Sequence, residues 1–410
     1  MASLRRAGRL IASAGILALL SGFMWFFHIA DYPYLASALT GSLIIYLWTR
    51  PGIRSLTITV LCSGAFALLY SFAKGEPVWG SALAFLGLGS IAHLSLTSLW
   101  CDPPEREAHL ETCLKASMFP LFLAIAGFAM AVTTIVHPKT YDLFLYAFDV
   151  QLGGSPSFLV GRVFARFGTL RQICYTGYES LPLAMAIAFA LDGKRPGRSA
   201  SGIMTAFTVA ATGGFALYNF YPANGPVHIF GEQFPFALPA PMMPPFSLVA
   251  PISGPRNAMP SVHLTMALLI LWNSRRWAAG WRILAGALLT VTVLATLGLG
   301  EHYLVDLLVA VPFALVAQGV AASGTPWYGR ERIAAVGAGG TLVAAWLVYL
   351  RLPSPPLHGN GLLAWGLLTA TAVAGVCLEW RLEQASVAGY RCVRAVEAVT
   401  TGETALATTL

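Results

Sequence analysis

The sequence predicts an all-α protein: a polytopic membrane helix bundle of about twelve transmembrane helices. Three observations carry that reading. The 410 residues are 57% hydrophobic and only 10% charged, against roughly one-quarter charged in soluble domains. Apolar runs near the length that crosses a bilayer recur along most of the chain. The Lys and Arg residues fall unevenly between alternating connecting segments.

In chain order the spans are expected near 10–29, 33–49, 55–73, 78–100, 115–136, 175–192, 202–221, 261–274, 280–299, 302–322, 334–350 and 361–379. The first follows Arg5, Arg6 and Arg9. It resembles a signal sequence in miniature, but its length and the spans that follow favour a retained anchor. With the N-terminus in the cytoplasm, 18 of the 25 Lys and Arg residues fall in inner segments. The other 7 are Lys74, Lys139, Arg162, Arg166, Arg171, Arg256 and Arg351. This split supports both termini inside, in a bacterial inner membrane. It also places residues 222–260 and the turn at His302 on the same, non-cytoplasmic face. The net charge of +7 fits inner-loop basic residues and anionic lipid, and implies no nucleic-acid partner.

The outer stretch from His137 to Cys174 predicts two interfacial amphipathic helices. In the first, Asp142, Tyr146 and Asp149 recur at helical spacing as a polar face. In the second, Arg162 and Arg166 share a face opposite Leu159, Val163 and Phe167. Cys62, Cys101, Cys113, Cys174, Cys377 and Cys392 include no CxxC pair, so neither disulfides nor zinc are expected.

The chemistry is expected at two helix starts. One is Arg256-Asn257-Ala258-Met259-Pro260-Ser261-Val262-His263; the other is Gly300-Glu301-His302-Tyr303-Leu304-Val305-Asp306. A helix start offers backbone N–H groups and a positive dipole end to an anion. His302 and Asp306, four apart, share a helical face, where the carboxylate can orient and charge the imidazole. Two histidines, one backed by an acid, suit phosphoryl transfer through a phosphohistidine. No cofactor is expected: metal-ligand spacing and nucleotide-binding glycine motifs are both absent. His93, Glu179, His228 and Glu232 are lesser candidates, more simply read as hydrogen-bonded structural residues.

Pro260-Ser261-Val262-His263 resembles the second signature of the type-2 phosphatidic acid phosphatase superfamily, and His302-Tyr303-Leu304-Val305-Asp306 resembles the third. With Arg256-Asn257-Ala258-Met259 ahead, the pattern is most similar to the branch containing inositol phosphorylceramide synthase. The resemblance covers roughly 115–322. It implies a six-helix catalytic core there, with membrane helices at 1–114 and 323–410 on either side. It implies His302 as nucleophile, Asp306 as its support, and His263 as acid and then base. Ser261 and nearby N–H groups would hold phosphate oxygens.

The sequence departs from the family in its cations. The first signature carries Lys and Arg, whereas the corresponding stretch here is Tyr218-Asn219-Phe220-Tyr221-Pro222-Ala223-Asn224-Gly225-Pro226. The third signature's Arg is replaced by Thr296. Arg256 is the nearby cation in sequence and is assigned as a phosphate clamp. Asn257, Tyr218, Asn219, Asn224 and Tyr303 are assigned as hydrogen-bonding phosphate ligands. Fewer cations suit a singly charged phosphodiester better than a monoester.

The expected function is therefore transfer of a phosphoryl-linked headgroup from a membrane lipid donor to an alcohol or lipid acceptor. Hydrolysis of a lipid or polyprenyl phosphate is the alternative. A lipid transporter or flippase is the rival class. The sequence shows no internal repeat of its halves and few of the intramembrane charges that a carrier would favour.

Overall fold

The computed structural model describes residues 33–75, 81–193, 201–238, 248–249, 254–352 and 360–401, with Ile11, Gly15, Ala18 and Gly22. The expected span 10–29 lies otherwise outside the described residues. The fold is almost entirely helical. The helices are α1 (Pro33–Trp48), α2 (Ile53–Lys74), α3 (Ala82–Trp100), α4 (Pro103–Val136), α5 (Asp142–Gln151), α6 (Pro156–Arg166), α7 (Gly168–Glu179) and α8 (Leu181–Asp192). They continue as α9 (Ser201–Phe220), α10 (Pro226–Phe230), α11 (Val262–Ser274), α12 (Ala279–Gly298), α13 (Leu304–Ala321), α14 (Arg330–Tyr349) and α15 (Gly361–Thr401). One two-residue antiparallel pair joins Lys139 to Val249 and Thr140 to Leu248.

Among the described residues eight helices are long and apolar enough to cross a membrane, against the twelve spans expected, and α1, α8 and α11 are shorter apolar helices. Every expected apolar stretch among the described residues falls in a helix, but the boundaries differ for physical reasons. Helix α4 begins at Pro103, well before 115. Its first turns carry Glu105, Arg106, Glu107 and Glu111, so an apolar criterion does not see them. Helix α15 likewise runs on past 379 to Thr401. The expected span 175–192 is broken near Ser180 into α7 and α8. Pro182 has no N–H to continue the helical ladder there.

The chain divides into two compact units. One comprises 1–131 and 176–191; the other comprises 132–175 and 192–410. The division regroups the expected segments, since 176–191 joins the N-terminal helices and 323–410 joins the stretch bearing the histidines. In the first unit, α1 and α2 pack on α3. Gly87 lies against the Leu39 carbonyl and Gly89 against Ser63 and Thr59. A side chain at either position would push these helices apart, the usual reason for small residues between membrane helices. His93 is buried here, edge-on to Tyr46.

In the second unit, α13 is central, packed by α9, α11, α14 and α15. Its residues Val309, Ala310, Ala314 and Ala317 are fully buried. Helix α5 meets α13, and α6 packs on α12, with Phe164 against Gly298. Phe158 and Phe230 add an aromatic cluster with Tyr146 and Phe234. This packing brings α5 and α6 against the loops that start α11 and α13.

The amphipathic readings of α5 and α6 need correction. Asp142, Tyr146 and Asp149 are buried rather than solvated. In α6 the buried face is Ser157, Phe158, Gly161 and Phe164. Leu159 and Val163 therefore lie outward together with Arg162 and Arg166, not opposite them. The inward stripe uses a Ser and a Gly for close approach, which hydrophobicity alone does not mark.

Candidate active site

The site is built on the turn between α12 and α13. The His302 and Glu301 N–H groups both reach back to the Thr296 carbonyl, and Gly300 has φ +79°. A Cβ at Gly300 would meet Phe234 and Val227, so conformation and space both require glycine. Opposite lies the loop 222–228. Gly225 has φ +104° and packs on the Glu301 carbonyl. The Val227 N–H donates to the Gly300 carbonyl at 3.0 Å.

His302 is 1% exposed. Its Nδ1 lies 2.9 Å from the Ala258 carbonyl oxygen. That oxygen can only accept, so Nδ1 carries the proton of the neutral ring and Nε2 presents its lone pair. The Ser261 hydroxyl lies 3.1 Å from Nε2 and also caps α11 by accepting from the Leu264 N–H. Asp306 Oδ2 is 3.6 Å from Nδ1, within Coulombic reach but beyond a good hydrogen bond. The same oxygen accepts the Tyr303 N–H at 2.8 Å. Tautomer selection therefore belongs first to Ala258, and Asp306 adds charge. The His263 and His302 ring centroids are 6.3 Å apart, edge to face, a separation that one phosphoryl group can bridge. His302, His263, Asp306 and Ser261 thus converge.

The remaining assigned residues are distributed differently. Arg256 is fully buried. Its Nε donates to the His137 carbonyl at 2.8 Å. Its Nη1 donates to Asn224 Oδ1 at 3.0 Å and to the Gly254 carbonyl at 2.6 Å. Asn219 bonds His137 and the Phe215 carbonyl. The Tyr218 hydroxyl meets the Val262 backbone. Asn224 and Tyr303 are fully buried, Tyr303 beside Asp142. Asn257 is half-buried next to Arg256. In this arrangement these side chains brace the loops around the two histidines.

Sequence reasoning missed the two acids of α5. Asp142 accepts the Asn224 and Gly225 N–H groups at 2.9–3.1 Å. Asp149 accepts the Leu304 N–H at 2.7 Å and the Val305 N–H at 3.2 Å. Burial pushes the Asp149 carboxyl up to about 8, against those two bonds. Ser157 also contributes, its hydroxyl donating to the His302 carbonyl at 2.8 Å. The expectation of two helix starts open to an anion is corrected accordingly. The start of α13 is filled by Asp149 and Asp306, and that of α11 largely by Ser261 and Tyr218. Acids seven residues apart on an otherwise apolar helix were the available signal.

This capping is testable. Asp149→Ala strands two buried N–H groups at a helix start, so a loss of about 2–4 kcal/mol is expected. Asp149→Asn keeps one acceptor and should lose less. Thermal unfolding in detergent reads the difference, and an unchanged midpoint for the alanine variant would remove the capping role.

Residues 143–320 match the family model of the PAP2 superfamily. Both histidines, Asp306 and Asp149 lie inside that stretch. The class it indicates is a phosphatase- or phosphotransferase-type lipid enzyme. Nothing in the match points to the inositol phosphorylceramide synthase branch. No curated protein and no solved structure matches the chain.

Proposed function

We propose that the chain is an integral membrane enzyme that moves a phosphoryl-linked headgroup from a lipid donor to an alcohol acceptor. The reaction runs through a phosphohistidine on His302 at the non-cytoplasmic face. The observation that carries this reading is the Nδ1–Ala258 bond, which leaves Nε2 as the nucleophilic atom. Nε2 attacks phosphorus, and the bond to the donor's lipid oxygen breaks. His263 gives that oxygen its proton. His263 then takes the proton of the acceptor hydroxyl, whose oxygen attacks phosphorus and breaks the N–P bond. As Nε2 is phosphorylated the ring becomes cationic, and Asp306 at 3.6 Å stabilises that charge.

Two observations favour transfer between alcohols over hydrolysis. His302 and Asp306 are buried, which disfavours water as the acceptor. Cationic compensation is also sparse: Arg256 is engaged by three protein oxygens, and Thr296 stands where the family has Arg. A singly charged diester suits such a site. With purified protein in one detergent, kcat/KM for a lipid phosphodiester plus alcohol acceptor should exceed that for phosphatidic acid by at least about tenfold, or about 1.4 kcal/mol. Faster hydrolysis of phosphatidic acid with no transfer product would give the case to a lipid phosphatase using the same histidines.

A further inference from the structure

The outward face of α6 and the first turns of α7 is unusual in its composition. Leu159, Phe167 and Ile173 are 52%, 53% and 58% exposed. Arg162, Arg166 and Arg171 are exposed on the same stretch. The sequence holds no Asp or Glu between Asp149 and Glu179. Among the described residues no carboxylate pairs with any of the three arginines. Arg166 lies 5.6 Å from the Phe167 ring centroid, a stacking that keeps its guanidinium near the apolar surface. Exposed apolar side chains interleaved with unpaired cations fit the boundary between acyl chains and anionic headgroups.

The face is tied to the catalytic turn on its inner side. Ser157 bonds the His302 carbonyl, and Gly161 packs on Phe234, which itself abuts Gly300. The surface therefore sits at the level where α11 and α13 begin.

We propose that this face is a binding surface for anionic phospholipid headgroups. The three arginines hold the phosphate oxygens, and Leu159, Phe167 and Ile173 take the first acyl carbons, beside the His302 turn. For its effect on turnover, the inference rests on the membrane-enzyme reading above. It deepens that reading by naming the charge class of the lipid that gathers at the helix bearing the His302 contact.

The test is native mass spectrometry of full-length protein with equimolar phosphatidylglycerol and phosphatidylcholine. The wild type should retain the anionic lipid with roughly tenfold preference. R162Q/R166Q/R171Q should fall to about threefold or less. R162K/R166K/R171K, which keeps the charge, should stay close to the wild type. An undiminished preference in the glutamine variant would overturn the proposal. So would loss of preference in a lysine variant with a wild-type melting temperature. A wild-type dimer that the glutamine variant dissolves would assign the face to a second copy instead. Turnover is read separately: the glutamine variant should raise KM for an anionic donor and leave kcat unchanged. Absence of any turnover in wild-type protein would count against the proposed reaction alone, because the binding comparison does not depend on it.

Discussion

His302→Gln is expected to abolish turnover of lipid phosphate, by at least about a thousandfold, while the protein inserts and elutes like the wild type. Glutamine can still donate toward the Ala258 carbonyl, so the loop 256–261 keeps its partner. What it lacks is a lone pair able to form the covalent intermediate. His263→Ala should cost roughly a hundred- to ten-thousandfold, the usual contribution of one general acid–base group. A donor with a good leaving group should recover part of that loss, because the first step then needs no proton. Full activity in His302→Gln would remove the phosphohistidine mechanism.

The second large effect is expected at Arg256. Its sequence position suggests a phosphate clamp, whereas its burial and three bonds to His137, Asn224 and Gly254 make it a brace. Arg256→Ala leaves those oxygens without their donor and removes the cation beside Asp142. A stability loss of about 3–5 kcal/mol is expected, with activity falling alongside. Lysine should rescue little, because it cannot reproduce the guanidinium fork. A clamp would behave differently: kcat/KM would fall while the unfolding midpoint stayed put. Measuring both quantities on one preparation separates the two roles.

Much of this was legible in the sequence because it depends on local spacing. The apolar stretches marked the helices, since a bilayer leaves no other way to satisfy the backbone. His302 and Asp306 announced themselves by their four-residue interval, and Ser261 by its place in the Pro260-Ser261-Val262-His263 stretch. What stayed hidden depends on contacts distant in the chain. Asp149 caps a helix 155 residues further on; its seven-residue spacing from Asp142 marks a polar stripe on the helix but not which partner that stripe meets. The tautomer of His302 is set by the Ala258 carbonyl, a backbone group with no side-chain signature. The outward face of α6 was misjudged because its buried stripe uses Ser157 and Gly161, chosen for fit rather than hydrophobicity.

The central claim is covalent attachment of phosphorus to His302 Nε2, and one measurement addresses it directly. Full-length protein is mixed with a lipid phosphodiester donor without acceptor, quenched in base, digested and analysed by mass spectrometry that preserves N–P bonds. The account predicts an acid-labile, base-stable phosphoryl-headgroup adduct on the peptide containing His302. The adduct should disappear when an alcohol acceptor is added and be absent from His302→Gln. A donor consumed at the wild-type rate with no adduct on His302, or with the adduct on another residue, would contradict it.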